Sequence, residues 1–311
     1  MDIKDRIILS ELSLDARQSV KNLSKKSRLS ESSVVYRLDR LVKHKILLNT
    51  HVIINPYALG KNGFRIYLSL QHVTDNLEQE IIIWLSEYSL TLVLAKEKQA
   101  SKYLLMSWCE KIYDFYSFIE EFKYKYGNYI QKLIIHSYVA GHYFSRRYLQ
   151  NSKGVEYIAR QNVPIVKVDN LDLQILTLLS EDGRLSALTI SQKLGKDSQT
   201  IILRMRHLKK KGVILGYGIN LNISKIGYFY YKLNICFSQK VSKNTLLEFA
   251  RNCINTVYVD ETISEYDFEL NVEVESEARL EEILTELRNL GSGFTLLEIK
   301  QFQEYFKLQF M

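Results

Sequence analysis

Over the first fifty residues the apolar positions recur at helical spacing. Ile3, Ile7, Ile8 and Leu12 fall on one face, and Ser19–Lys26 predicts a second short helix. Ser30, a good N-cap, opens a third helix on which Val34, Leu38 and Leu41 stand at i, i+4 and i+7. The pattern then becomes extended over Ile46–Ile54. Three helices followed by a two-stranded wing are the outline of a winged helix-turn-helix. Beyond it, strand and helix patterns alternate: Phe64–His72, Leu77–Tyr88, Leu90–Lys96, Lys102–Cys109, Ile112–Tyr126 and Tyr129–Phe144. That order, βαββαβ, is the ferredoxin-like split unit. Val213–Leu221 is extended again, and Tyr228–Phe237, Ser242–Cys253, Asn255–Ile263, Asp267–Glu275, Glu277–Leu290 and Thr295–Lys307 repeat the same succession.

The recurrence is visible residue by residue. A shift of 167 positions aligns Asp5–Gly60 with Asp172–Gly227 without a gap, and 16 of the 56 pairs are identical, where ordinary composition gives about four. Arg17/Arg184, Arg37/Arg204, Lys43/Lys210 and Asn55/Asn222 are among them. The expected fold is therefore α+β, a tandem of two copies of one unit. A winged helix-turn-helix over 1–55 and a βαββαβ domain over 60–145 are followed by a linker at 146–168. A second winged helix-turn-helix over 169–222 and a second βαββαβ domain over 227–311 complete the chain.

Charge divides the molecule further. Residues 1–155 carry 23 basic and 15 acidic side chains, whereas residues 156–311 carry 19 and 20. The two leading segments are both positive, with 11 basic against 6 acidic groups in residues 1–50 and 8 against 5 in residues 169–217. Residues 218–311 are negative, with 9 against 14. A positive head on each copy suits a polyanion. Three widely spaced cysteines (Cys109, Cys236 and Cys253) suit neither a disulfide framework nor a zinc site. The start reads as no signal peptide, and the longest apolar run, Ile81–Leu85, is far too short to span a bilayer. The expectation is a cytoplasmic, nucleoid-associated protein.

In a helix-turn-helix the third helix enters the major groove by its N-terminal part. With Val34, Leu38 and Leu41 inward, Ser30, Ser32, Ser33 and Tyr36 are left near base edges, and Arg40 and Lys43 are placed for phosphates. The counterparts in copy two are Gln199, Thr200, Leu203, Arg206, His207 and Lys210. Arg37 and Arg204 stand beside the core face. They either touch DNA or brace the helix against an acid such as Asp15 or Asp182.

The run LDARQSVKNLSKKSRLSESSVVYRLDRLVKHKILLN with NPYALG, and still more EDGRLSALTISQKLGKDSQTIILRMRHLKKKGVILGYGINLNISKIG, resembles the Lrp/AsnC (feast/famine) regulators. The resemblance implies a transcription regulator on double-stranded DNA whose second, RAM-type domain oligomerises and often binds an amino acid. Fused copies imply an intrachain pseudo-dimer, able to build larger homo-oligomers. Copy one departs from the family pattern at Arg28 and Lys45, where copy two keeps Gly195 and Gly212. The family's Gly-acidic-Tyr-Asp effector turn corresponds to Ser264, Glu265, Tyr266 and Asp267. In copy one it corresponds to Gln99, Ala100, Ser101 and Lys102, which retain none of it. No cofactor, metal or catalytic residue is expected. A siroheme decarboxylase, sharing the AsnC-like architecture, would need a haem-contacting histidine in the second domain. Residues 208–311 have none, and His72, His136 and His142 of copy one suggest no cluster. An assembly protein with vestigial heads is the third alternative.

Overall fold

A computed structural model describes residues 1–99, 101–151, 154–237, 243–291 and 293–308. Ser242 and Ala100 lie outside them. Each copy opens with three helices, α1 (Ile3–Leu14), α2 (Val20–Ser27) and α3 (Glu31–Lys43), and one strand, β1 (Leu47–Ile54). Copy one continues with β2 (Asn62–Leu70), α4 (Asp75–Glu87), β3 (Thr91–Glu97), β4 (Lys102–Cys109), α5 (Ile112–Tyr126) and β5 (Ile130–Phe144). A short strand, β6 (Glu156–Arg160), precedes copy two. That copy comprises α6 (Asn170–Glu181), α7 (Ala187–Leu194), α8 (Ser198–Lys210), β7 (Ile214–Leu221), β8 (Phe229–Phe237), α9 (Lys243–Asn252), β9 (Thr256–Ile263), β10 (Phe268–Val274), α10 (Glu277–Arg288) and β11 (Phe294–Leu308).

The wing differs from the sequence expectation. Among the described residues neither copy folds a wing hairpin of its own. Instead β1 pairs antiparallel with β7, Thr50 opposite Ile219 and Val52 opposite Tyr217, so each copy supplies one strand of a shared ribbon. The reason is local. A 3₁₀ turn over Pro56–Leu59 carries the chain straight from β1 into β2, with no two-residue hairpin loop to return it. The lone strand leaves backbone groups that must be paired, and the other copy's equivalent strand satisfies them. Matching bonds repeat across the pseudo-twofold: Ala16 N–H donates to the Tyr217 carbonyl (3.0 Å) and Gly183 N–H to that of Thr50 (2.9 Å). Arg17 Nη1 donates to the carbonyls of Gly183 (2.7 Å) and Leu185 (3.0 Å), and Arg184 Nη1 returns the contact to those of Ala16 and Gln18. Gly183 is required here, since a Cβ would come within 2.8 Å of the His51 backbone. One core, with Ile8, Leu9 and Leu12 beside Ile175, Leu176 and Leu179, runs through both heads.

The βαββαβ units each form a four-stranded sheet, in the orders β5-β2-β4-β3 and β11-β8-β10-β9. Their edges then join, β3 to β11 and β5 to β9, closing an eight-stranded barrel among the described residues. Closure leaves no unpaired edge on those sheets. The outer faces carry the helices: α4 and α5 pack their Leu85, Phe118 and Phe122 on copy one, while α9 and α10 pack Leu246, Ile283 and Leu287 on copy two. The described parts of the expected connector, residues 146–151 and 154–168, are anchored: β6 adds to β5, and Val166 N–H donates to the Ala58 carbonyl (2.8 Å). Buried Arg146 binds Glu273 through Nε (2.9 Å) and Nη2 (3.0 Å). Among the described residues no helix is long and apolar enough to cross a membrane.

Candidate nucleic-acid interface

Both third helices stand on the outside of the molecule, held by the same device. Asp2 caps α1 in a capping box with Asp5, and Asp169 caps α6 with Asp172. The N3 aspartates are buried, and their carboxylates reach the third helices. Arg37 Nη1 contacts Asp2 (2.7 Å) and Asp5 (2.8 Å), while Arg204 Nη1 contacts Asp169 (2.7 Å) and Asp172 (3.2 Å). Arg37 and Arg204 are therefore braces, and their acids are Asp2/Asp5 and Asp169/Asp172 rather than Asp15 or Asp182. The hydrogen bond from Arg37 pulls the Asp2 carboxyl down to about 2. Arg40 is drawn in as well, its Nη2 lying 2.6 Å from Asp5.

What remains outward is a mixed polar and apolar surface. Ser30 caps α3, accepting from Ser33 N–H (3.2 Å), and its hydroxyl also meets Ser32 Oγ (3.0 Å) and Ser33 Oγ (2.8 Å). Tyr36, 67% exposed, projects one turn later, and Lys43 is exposed at the helix end without an ion-pair partner among the described residues. On α8, Asp197 caps, accepting from Thr200 N–H (3.0 Å). Gln199, Arg206, His207 and Lys210 are exposed, and Leu203 is 55% exposed where copy one has Tyr36. The two heads thus share a brace and a terminal lysine but offer different chemistry to the bases.

The turn before the third helix has left-handed backbone in both copies, at Arg28 (φ 54°) and Gly195 (φ 61°). The same holds where the helix ends, at Lys45 (φ 53°) and Gly212 (φ 74°). Copy one therefore takes the same left-handed backbone as copy two without its glycines.

The four effector-turn residues are brought together but close on one another. Ser264 Oγ accepts from Tyr266 N–H (2.9 Å), and Asp267 accepts from Phe237 N–H (2.8 Å). The Glu265 carbonyl accepts from the Cys236 thiol (2.7 Å). Tyr266 turns into the barrel, its hydroxyl on Glu298 (2.8 Å) and its ring edge-on to His136 at 5.3 Å.

Sequence reasoning missed a second polar site inside the barrel. Arg65, Lys232, Asp260 and Glu269 form a buried quartet. Arg65 binds Asp260 (2.8 Å) and Glu269, and Lys232 binds Glu269 (2.8 Å) and Asp260 (3.2 Å). His136 Nδ1 lies 3.2 Å from Glu269. Burial, then the Arg65 and Lys232 charges, hold its imidazole down to about 4. The signal was present in the strands, where Arg65 and Tyr67, or Tyr230, Lys232 and Asn234, recur at period two opposite the apolar face.

Two family descriptions match the chain: an AsnC-type helix-turn-helix domain over residues 1–42 and a winged helix-turn-helix DNA-binding domain over residues 168–214. The leucine-responsive regulatory protein of Rhizobium meliloti (strain 1021) is 29% identical over 146 residues, 45% of this chain and 94% of that protein. The HTH-type transcriptional regulator LrpB of Bacillus subtilis (strain 168) is 25% identical over 148 residues, 47% of this chain and 98% of its own. Such relatives are one copy long. The crystal structure of the siroheme decarboxylase NirDL, in co-complex with an iron-uroporphyrin III analogue, superposes with a TM-score of 0.60. The match covers 99% of this chain and 93% of that one at 10% identity, a likeness of fold.

Proposed function

We propose that this chain, whose two heads match helix-turn-helix domain descriptions and which resembles the Lrp/AsnC (feast/famine) regulators in each half, is a DNA-binding transcriptional regulator acting as a covalent pseudo-dimer. The observation that carries this reading is the pair of outward third helices on one frame. Each is capped at its N-terminus, braced by an arginine to a buried aspartate, and ended by an exposed lysine. Capped N-termini suit base-edge contact, and cations in the last turn suit phosphates. Tyr36, Ser32 and Ser33 on one head, against Leu203, Gln199 and Thr200 on the other, would read two unlike half-sites. A small effector and further homo-oligomerisation through the RAM-type domains belong to the same proposal.

The experiment is selection of bound fragments from the organism's genomic DNA, followed by titration of one selected duplex with purified protein. One chain per duplex, protection of two unequal half-sites and a steep loss of binding with salt are expected. Absence of salt-dependent binding to any selected duplex would end the reading. The decarboxylase alternative draws on fold likeness alone. The cavity inside the barrel, about 260 Å³, is below the roughly 300–1,000 Å³ usual for drug-sized ligands, and a tetrapyrrole is larger still. Tetrapyrrole absorbance in the purified protein would reverse that judgement.

A further inference from the structure

The cavity lies between the barrel interior and the ribbon that joins the heads. Its walls include Arg65 of β2, Ala95 of β3 and Trp108 of β4, with Tyr57 from the 3₁₀ turn, and Leu48 of β1 and Leu221 of β7 from the ribbon itself. Two features mark it as more than a packing gap. Its volume, about 260 Å³, corresponds to about nine waters at roughly 30 Å³ each, whereas a dry cavity of about 150 Å³ already accepts benzene. Moreover, two buried polar atoms on its lining residues have no partner, the Tyr57 hydroxyl and Arg65 Nε. Tyr57 and Arg65 are each more than nine-tenths buried. Orphaned buried donors cost free energy unless something accepts from them.

The charges at this site are already matched within the protein. Arg65 and Lys232 face Asp260 and Glu269, and Arg146 faces Glu273. The site therefore does not call for a strongly charged guest such as a phosphate. What it lacks is one hydrogen-bond acceptor beside an aromatic wall. Trp108 meets Tyr57 edge-on at 5.3 Å and stacks on Tyr138 at 5.8 Å, and Arg65 lies over the Tyr138 ring at 4.6 Å. We propose that this chamber binds a one-ring aromatic molecule bearing a carbonyl-type acceptor, with the ring along the aromatic wall and the acceptor on Tyr57 and Arg65. It is separate from the effector turn at Ser264–Asp267, whose polar groups bond to one another and to β8. Since Leu48 and Leu221 belong to the strands that join the heads, an occupant touches the frame on which α3 and α8 are mounted. The regulatory half of the proposal, that occupancy changes DNA affinity, rests on the proposed function; the binding half does not.

The test titrates the full chain with benzamide, acetophenone and toluene by calorimetry, with thermal denaturation alongside. One saturable site per chain for benzamide or acetophenone is expected, with a rise in the unfolding temperature. Tyr57→Phe should weaken the carbonyl probe about tenfold and leave toluene unchanged, the mark of one lost hydrogen bond. Ala95→Leu fills the chamber and should abolish binding of all three. If that variant fails to fold by circular dichroism, Ala159→Leu, on the outer strand β6, serves instead. No saturable binding of any probe, or binding untouched by the filled chamber, overturns the site. Saturation without any change in affinity for a selected duplex overturns the regulatory half. Saturation in a protein that binds no duplex supports the chamber and strikes the regulator reading alone.

Discussion

Lys43 and Lys210 occupy equivalent places, 167 residues apart, in the last turns of α3 and α8. Both are exposed, and neither has an ion-pair partner among the described residues. They separate the contribution of each head better than Arg40. That residue is bound to buried Asp5, so reversing its charge would place two acids together and unsettle the head itself. A lysine on a DNA phosphate displaces about 0.9 counterion, so each Lys→Gln change should flatten the slope of log K against log salt by about 0.9. At 150 mM salt that release is worth about 1 kcal/mol, or about a fivefold loss of affinity per head. Lys43→Gln and Lys210→Gln together should therefore cost about thirtyfold and about 1.8 in slope, since the two sites share no partner. The assay is fluorescence anisotropy on a genomically selected duplex at four or five potassium chloride concentrations. Circular dichroism controls for the small loss of a favourable cation at each helix C-terminus. If Lys43→Gln changes neither affinity nor slope, copy one's head does not engage DNA. If both substitutions are silent, the outward helices are not the binding surface and the regulator reading fails.

Arg28→Gly and Lys45→Gly should each stabilise copy one by about 0.5–1 kcal/mol, the relief of left-handed backbone less the greater entropy of an unfolded glycine; a lowered urea midpoint in both would refute this. Arg184→Ala removes two charged hydrogen bonds to the carbonyls of Ala16 and Gln18, and should cost about 2–3 kcal/mol in urea denaturation. A loss below about 0.5 kcal/mol would mean that the cross-copy clamp does not hold the heads together. His51 is buried in the ribbon, and burial, then the Arg146 charge, lowers its imidazole to about 3. The folded state keeps it neutral while the unfolded chain protonates it below about pH 6.5. Its contribution is therefore complete above that pH and is lost as the pH falls towards 3, by about 2 kcal/mol at pH 5. Denaturation midpoints of wild type and His51→Gln between pH 7.5 and 5 check this, the variant's midpoint falling less steeply; parallel curves would refute the assignment.

Much of the fold was legible because its elements are locally determined. Lys102–Cys109 and Ile112–Tyr126 form the strand and helix that their periodicity predicts, and Ser30 and Asp197 cap as their side chains suggest. The duplication was readable because it is a property of the letters themselves. Pairing was not, since a strand's hydrophobic pattern does not say which copy supplies its neighbour. A wing made from β1 and β7 looks the same in sequence as two separate hairpins missing their return strands. The braces were misread for a related reason: Asp15 and Asp182, the C-cap residues of α1 and α6, are occupied elsewhere. Asp15 Oδ1 accepts from Arg17 N–H (2.9 Å), and Asp182 Oδ1 accepts from the Thr50 hydroxyl (2.7 Å). The barrel's ionic quartet draws single charges from β2, β8, β9 and β10, and only the strand register brings them together.

The shared ribbon also bears on how such a protein can change over generations. With one strand from each side, a half-length fragment cannot complete its own head and must find another to fold against, its twin or a relative. Once the two halves are translated as one molecule, each always meets the same partner. A substitution on one face then needs to suit a single opposite surface rather than its own mirror image. That release from self-complementarity is what allows Tyr36 and Leu203 to stand at the same place in two heads and differ.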